Sequence, residues 1–283
     1  MLKIVGFIVV VVSVLGGYVL AHGELAALWQ PFELVIIGGA AVGAFMASNP
    51  PNVLKSTLGA IPTVFAGAKY KPADYLEVLS LLYEVFNKWR KDGLMTLETD
   101  IEVPEESEIF IRYPKVLLDT AARDFICDYL RIISTGNLST FELENLMDEE
   151  IETHLQEKEL PAAAVARTAD SLPGFGIVAA VLGIVITMKS LGGPPDELGL
   201  HVAAALVGTF LGILMAYGFV GPLGVALEHK AREEMKVFEC IKSSILAMVN
   251  GIPPQLAVEF GRKTLYSSDR PSFAELEEHL RSR

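Results

Sequence analysis

Residues 170–188 read DSLPGFGIVAAVLGIVITM. From Ser171 onward the stretch holds no charged residue, and a helix that crosses a membrane needs about 20 mostly apolar residues. Pro173, Gly176, Ala180, Gly183 and Thr187 are spaced 3, 4, 3 and 4 apart, so they share one helical face on which every side chain is small. Lipid gives helices no hydrophobic reason to associate, and small residues let backbones approach closely. The stretch therefore reads as a membrane helix made to lie against another helix.

Three more runs have spanning character. With this one, extended to 171–193, the candidates are roughly 2–21, 33–49, 171–193 and 201–223. The 283-residue chain is 51% apolar and 20% charged, with mean hydropathy +0.41, as expected when apolar spans alternate with hydrophilic segments. The first run, with Lys3 and Ala21, has some look of a secretory signal. Its length and the three later spans favour a retained helix. The second run is short and begins beside Glu33.

Lys and Arg set the expected orientation. Loop 22–32 has none and loop 189–200 has only Lys189, whereas segment 51–170 has 12 and segment 224–283 has 9. Both long segments and both termini are expected in the cytoplasm. The expected class is an all-α, polytopic membrane protein with four transmembrane helices and a mainly helical cytoplasmic domain. The expected divisions are 1–50 (helices 1 and 2), 51–170 (cytoplasmic domain), 171–223 (helices 3 and 4) and 224–283 (cytoplasmic tail). Cys127 and Cys240 fall in cytoplasmic segments and are expected as free thiols.

In the insertion, PADYLEVLSLLYEVFNKWRKDG predicts a helix, with Tyr75, Leu79, Leu82 and Phe86 at spacings of three and four and a stop at Asp92-Gly93. A charged connector, LETDIEVPEESEIFIRYP, follows. KVLLDTAARDFICDYLRIISTG and STFELENLMDEEIETHLQEKEL predict a second and third helix, the third capped by Ser139 or Thr140. In the tail the fourth span is expected to run on through ALEHKAREEMKVFECIKSSILAMVNG, and SFAELEEHL carries a capping box from Ser272 to Glu275.

Sites for chemistry are scarce. No phosphate-binding loop is present, and the five histidines are scattered without metal-ligand spacing. Neither a cofactor, a metal nor an enzymatic activity is expected. The net charge of −12, concentrated in segment 51–170 where 22 acids outweigh 12 bases, argues against nucleic acid.

The spans say more. Gly208, Gly212 and Ala216 form a second small-residue stripe, and Gly39, Gly43 and Ala47 a third. Two readings stay open: packing within one subunit, or contacts to other copies and a partner helix. Pro173 starts the third span and Pro222 closes the fourth, which by topology puts both at one membrane level. First-turn tolerance and a simple helix stop compete with a role as flexible points. No span carries an acid or base in its interior, and such groups mark ion paths. Any conducting carboxylate must then come from another subunit. Arg90 and Glu98 lie on charged, exposed sequence, where a solvated face is the ordinary reading.

The stretches PFELVIIGGA, ESEIF, MDEEIETH, DSLPGFGIVAAVLG, VGTFLGILMAYGFVGPL and AVEFGRKTLYSSDRPSF carry a resemblance. They cover nearly the whole chain, which resembles the MotA family, the stator subunits of the bacterial flagellar motor. The resemblance implies an inner-membrane protein, several copies (five) of which ring a dimer of MotB. MotB supplies a membrane helix with an essential Asp and a peptidoglycan-binding domain. It also implies that the cytoplasmic domain turns the rotor protein FliG. On this match Arg90 and Glu98 resemble rotor-facing charges, Pro173 and Pro222 the paired prolines near the ion site, and Thr209 and Tyr217 residues along the path. Gly176, Gly183, Gly208 and Gly212 are the helix-packing positions. Gly174 departs from an expected Ala. Sodium-driven relatives carry Thr at the position of Ala180, so the resemblance implies protons here. An ExbB/TolQ-like energiser and a non-conducting membrane scaffold are the rival readings.

Overall fold

The computed structural model describes residues 2–189 and 195–281, and among these it is helical with no strand. The chain forms two compact units: Met1–Gly67 with Lys158–Lys230, and Ala68–Glu157 with Ala231–Arg283. By internal contacts the units meet at 67, 157 and 230: the separate helix after Asn49-Pro50 groups with the first unit, as does the stretch of a long helix from Lys158.

The first unit holds α1 (Leu2–Leu20), a single turn α2 (Leu25–Leu28), α3 (Pro31–Ser48) and α4 (Pro51–Thr63). It also holds parts of two long helices, α9 (Thr140–Lys189) and α11 (Gly221–Val249), and all of α10 (Pro195–Ile213). Four helices are long and apolar enough to cross a membrane. The outer loop expected at 189–200 lies partly outside the described residues.

Two expectations need correction. The third predicted helix and the third span are one helix, α9, of 50 residues, which contains both Pro161 and Pro173. The sequence between them, PAAAVARTADSL, is Ala-rich and helix-favouring, so two prolines do not end it. Nor does Pro222 close the fourth span. Leu214–Val220 winds as a π-helix, and α11 continues from Gly221 to Val249. A proline in a helix lacks the N–H for the carbonyl four residues back and its ring crowds that carbonyl. Wider π turns just before Pro222 turn that carbonyl aside: the Gly221 N–H reaches Ala216 O, five residues back.

Two lysines gather at one end of this unit. Lys3 Nζ donates to Val64 O at 3.1 Å and Lys230 Nζ to Thr63 O at 2.7 Å, satisfying carbonyls that the end of α4 leaves open.

The second unit has its own core. Helix α5 (Pro72–Asp92) buries Tyr75, Val78, Leu79, Leu81, Leu82, Val85 and Phe86, the face that the sequence spacing predicts. The connector folds into short turns, including α6 (Glu98–Glu102), before α7 (Pro114–Leu118) and α8 (Thr120–Ser134). Gly93 (φ 92°) and Gly136 (φ 69°) take the left-handed backbone after α5 and α8. Ser139 caps α9 through a reciprocal box with Glu142, and Ser272 does the same with Glu275 for α13 (Phe273–Arg281), which follows α12 (Pro254–Thr264). Cys127 and Cys240 are free and buried, and burial pushes the Cys127 thiol up to about 12.

Within the first unit α9 and α10 pack closely. A methyl added at Gly212 would lie 2.8 Å from Gly176 Cα and from Leu172 O, and one at Gly176 would lie 2.9 Å from Gly208 O. One at Gly183 would lie 2.9 Å from Ala205 Cβ. By contrast Gly39 and Gly43 on α3 have open space around them. Gly212→Ala should therefore cost about 1–3 kcal/mol by overpacking, while Gly39→Ala should leave the isolated subunit's stability unchanged or slightly raised. Thermal unfolding of each variant in detergent measures the difference.

Candidate functional site

The expected ion-path and helix-packing residues lie on the antiparallel pair formed by α9 and the α10–α11 run. Gly183 faces Ala205, Ala179 faces Gly208, Gly176 faces Gly208 and Gly212, and Ala162 and Ala166 face Gly224. Gly176, Gly183, Gly208 and Gly212 thus each lie against the facing helix of the same chain, mostly backbone on backbone. The Thr187 hydroxyl donates to Gly183 O at 2.8 Å and is satisfied by its own helix.

This register corrects the proposed common level of the prolines. Gly212 lies against Gly176, so Pro173 stands about one turn from the Gly212 contact, near Met215. Gly224 lies against Ala166, so Pro222 stands near Thr168. Roughly six residues, or about 9 Å along the axis, separate the two prolines at 1.5 Å per residue. Both helices continue past their prolines, so neither proline marks a helix end.

Ala180 and Thr209 are half-buried at this crossing, with the Ala180 backbone N 3.3 Å from where a Gly208 methyl would sit. Tyr217 lies in the π-helical segment with 68% of its surface exposed, and Pro222 is also exposed. Helix α1 has no buried residue and touches the unit through Phe7, which stacks on Phe219 at 5.6 Å between centroids. The buried face of α3 is Glu33, Ile37 and Ala41, not the Gly39–Gly43–Ala47 stripe.

Glu33 is the residue that the sequence reading missed. In the sequence it stands at the edge of a span, and the span interiors hold no acid. Yet Glu33 is 92% buried by its 8% exposure, and its Oε2 has no hydrogen-bond partner. A methyl on Gly208 would lie 3.0 Å from that oxygen. The available signal was the i, i+4, i+8 series Glu33–Ile37–Ala41, which puts the acid on the inward face.

In the second unit Arg90 and Glu98 are both exposed, and neither forms an ion pair with any described residue. They are not brought into contact with one another. Glu98 lines a surface cleft of about 980 Å³ with Glu84, Lys88, Asp100, Glu102 and Arg112. Within it Lys88 pairs with Asp100 at 2.5 Å, and the Ser107 hydroxyl donates to Asp100 at 2.6 Å, which holds the buried carboxylate. Elsewhere Asp119 is half-buried. Burial raises its carboxyl, but hydrogen bonds from Tyr70 (2.6 Å) and the nearby Lys69 outweigh this and hold it below the usual range. No group of His, Cys, Asp and Glu suited to a metal occurs among the described residues.

Comparison with known proteins places these features. Residues 4–93 match the model of the motility protein A N-terminal region, and residues 118–240 that of the MotA/TolQ/ExbB proton channel family. The chain is 54% identical over 282 residues to motility protein A of Salmonella typhimurium and 53% to that of Escherichia coli K12, covering 100% of this chain and 96% of each relative. The C. jejuni MotAB structure shares the fold at TM-score 0.76 and 22% identity, covering 95% of this chain and 97% of that one. The MotAB stator complex of Bacillus subtilis does so at 0.70 and 24%, covering 90% and 92%.

The π-helical segment generates a prediction. Pro222→Ala restores an N–H that can bond Gly218 O, so Leu214–Val220 should close to α-helix and Tyr217 should swing round the helix. A structure of the variant should show the Gly221 N–H bonded to Tyr217 O instead of Ala216 O. If the π turns persist, Pro222 is not their cause.

Proposed function

The chain belongs to the motility protein A family, and on that basis we propose that it is the stator subunit of a bacterial flagellar motor. It works with a MotB-type partner in a proton-conducting complex that converts ion flow into torque. Motility proteins A from Salmonella typhimurium and Escherichia coli match all of this chain over 96% of their own length, and the MotA N-terminal model covers α1 to α5. An ExbB/TolQ-like energiser would share the proton channel region but not that N-terminal match. A mere scaffold would not share either.

The observation that carries the mechanism is what one subunit leaves uncovered. Tyr217 and Pro222 are exposed, α1 buries nothing, and the Gly39–Gly43 face of α3 meets no neighbour. These faces are the ones that several copies and a partner helix would cover. The partner helix brings an Asp, which is protonated from outside and released inside. In its neutral and charged forms that Asp fits differently against Ala180, Thr209 and Tyr217. Ala180 offers no side-chain oxygen, and a bare Na⁺ in such a site would lose its water without replacement. Protons are therefore the coupling ion. The π-helical segment, with Pro173 and Pro222 on either side of the α9–α10 register, is where a tilt of the membrane helices passes towards α9 and α11. Arg90 and Glu98, exposed and unpaired, push on complementary charges of the rotor protein FliG.

Both termini and segment 51–170 face the cytoplasm in this proposal. A cysteine at Glu24, which is exposed, should react with a membrane-impermeant thiol reagent in whole cells, and one at Glu106 should not. Glu24 serves better than Gly23, whose added methyl would meet the Tyr18 ring at 2.4 Å, and Glu106 better than the buried Ser107.

The test of function is complementation. In a strain lacking its own stator subunit, the chain expressed with its partner should restore swimming, and proton uptake should require the partner. Arg90→Glu should reduce torque several-fold with normal membrane levels, and reversed charges on the rotor should restore part of it. Full torque in the Arg90→Glu, Glu98→Lys double variant on an unaltered rotor would return both residues to a solvated surface.

A further inference from the structure

Glu33 is unlike any other carboxylate in the first unit. A glutamate in the third position of a helix ordinarily serves the helix's own amino terminus, through a cap or the helix dipole. Here no side-chain hydrogen bond caps α3. The carboxylate turns inward, buried, with Oε2 unpartnered against Gly208 and with Ala179 and Ala180 beside the same point. Among the described side chains of the elements packed there, none places a Lys or Arg beside it; the nearest on α9 in sequence is Lys189, about two and a half turns beyond Ala180. Helix α3 has no other ionisable residue, and α9 has none from Ser171 to Met188. On α10 the only titratable residues are Asp196 and Glu197 in its first turn, about three turns from Gly208, and His201, two turns away on the same face as Ala205 and Gly208. His22 and Glu24 border α2 on the exposed side. An isolated carboxylate in such surroundings binds a proton or a cation rather than stay charged and bare.

Its position gives that binding a use. Glu33 begins α3, next to loop 22–32, which holds no Lys or Arg. It reaches the α9–α10 crossing where Ala180 and Thr209 lie. Gly208 leaves the room: a methyl there would lie 3.0 Å from the carboxylate oxygen and 3.3 Å from the Ala180 backbone N, so both would have to give by a few tenths of an ångström.

We propose that Glu33 is a proton-binding residue of the conduction path, holding the coupling proton at the outer end of the α9–α10 crossing before the partner's acid receives it. The proposal rests on the stator reading above. A hydronium at the outer face gives its proton to Glu33, leaving water. The protonated carboxyl then gives the same proton to water on the inner side and is again a carboxylate, so the cycle balances. With the carboxylate in place, proton capture stays efficient when protons outside are scarce. Without it, capture falls with their concentration.

The test uses the full chain with its partner in cells lacking the native subunit. Swimming speed and the stall torque of tethered cells are measured from about pH 5.5 to 8.5 for the wild type, Glu33→Gln and Glu33→Asp. Glu33→Gln should match the wild type at the acid end and fall behind by about threefold or more at the alkaline end. Its stall torque, where ion flow is slow, should be normal. Glu33→Asp should keep most of the alkaline speed. A Glu33→Gln curve that tracks the wild type at every pH overturns the proposal. So does an equal loss at every pH and at stall, or failure of the variant to reach the membrane, either of which makes Glu33 a structural residue of the helix crossing. A wild-type chain that does not restore swimming overturns the stator reading instead, and this role with it.

Discussion

The backbone contact of α9 with α10 is the constraint on which the membrane unit depends. Gly176 and Gly212 approach so closely that neither position has space for a methyl group. In lipid this closeness substitutes for the hydrophobic drive that water would supply. Glycine inside a helix weakens it by roughly 0.5–1 kcal/mol against Ala, so four glycines at one interface are a standing cost that only tight packing offsets. The same contact fixes the antiparallel register, and the register decides where Ala180, Thr209, Tyr217 and both prolines stand.

From that register the π-helical segment gains its meaning. Between the contacts Gly212–Gly176 and Gly224–Ala166, twelve residues of the fourth span run beside ten of α9. A π turn takes more residues for the same rise, so the two helices stay in step despite Pro222. The exposed Tyr217 is presented from this widened turn rather than from a regular helix. A helix interrupted there can change its winding at low cost, since its hydrogen bonds are already displaced from the regular pattern.

Much of this was legible in the residues. Four spans, the α5 core face, the run of the fourth span into the tail and the two capping boxes follow from hydropathy, spacing and Ser–Glu pairs, all of which are local signals. What escaped was long-range. Pro161 and Pro173 look like breaks, but their flanks of Ala, Val and Leu sustain one 50-residue helix. Pro222 looks like a stop, because nothing local announces a π turn. The stripe of α3 was read as Gly39–Gly43–Ala47 from residue size. The buried face proved to be Glu33–Ile37–Ala41, since α3 meets the bundle through the side that fits its neighbours. The charges Arg90 and Glu98 are as undistinguished in space as in sequence: exposed and unpaired, they acquire a role only against another surface.

The misjudged Glu33 bears on how the chain divides labour with a partner. A span without interior charge implied that the whole ionisable machinery is borrowed. A buried, unpartnered acid changes that division: the subunit contributes a carboxylate of its own at the crossing, and Gly208 is small partly to make room for it. Glycine at that position then serves two demands, the approach of Ala179 and the seat of a carboxylate oxygen. Alanine would crowd both, its methyl lying 3.2 Å from Ala179 Cβ and 3.0 Å from the carboxylate oxygen. A helix interface selected for closeness alone would gain from a hydrocarbon at position 33, which buries without penalty. Retention of an uncompensated acid against a closely packed helix pair is explained by use and not by stability.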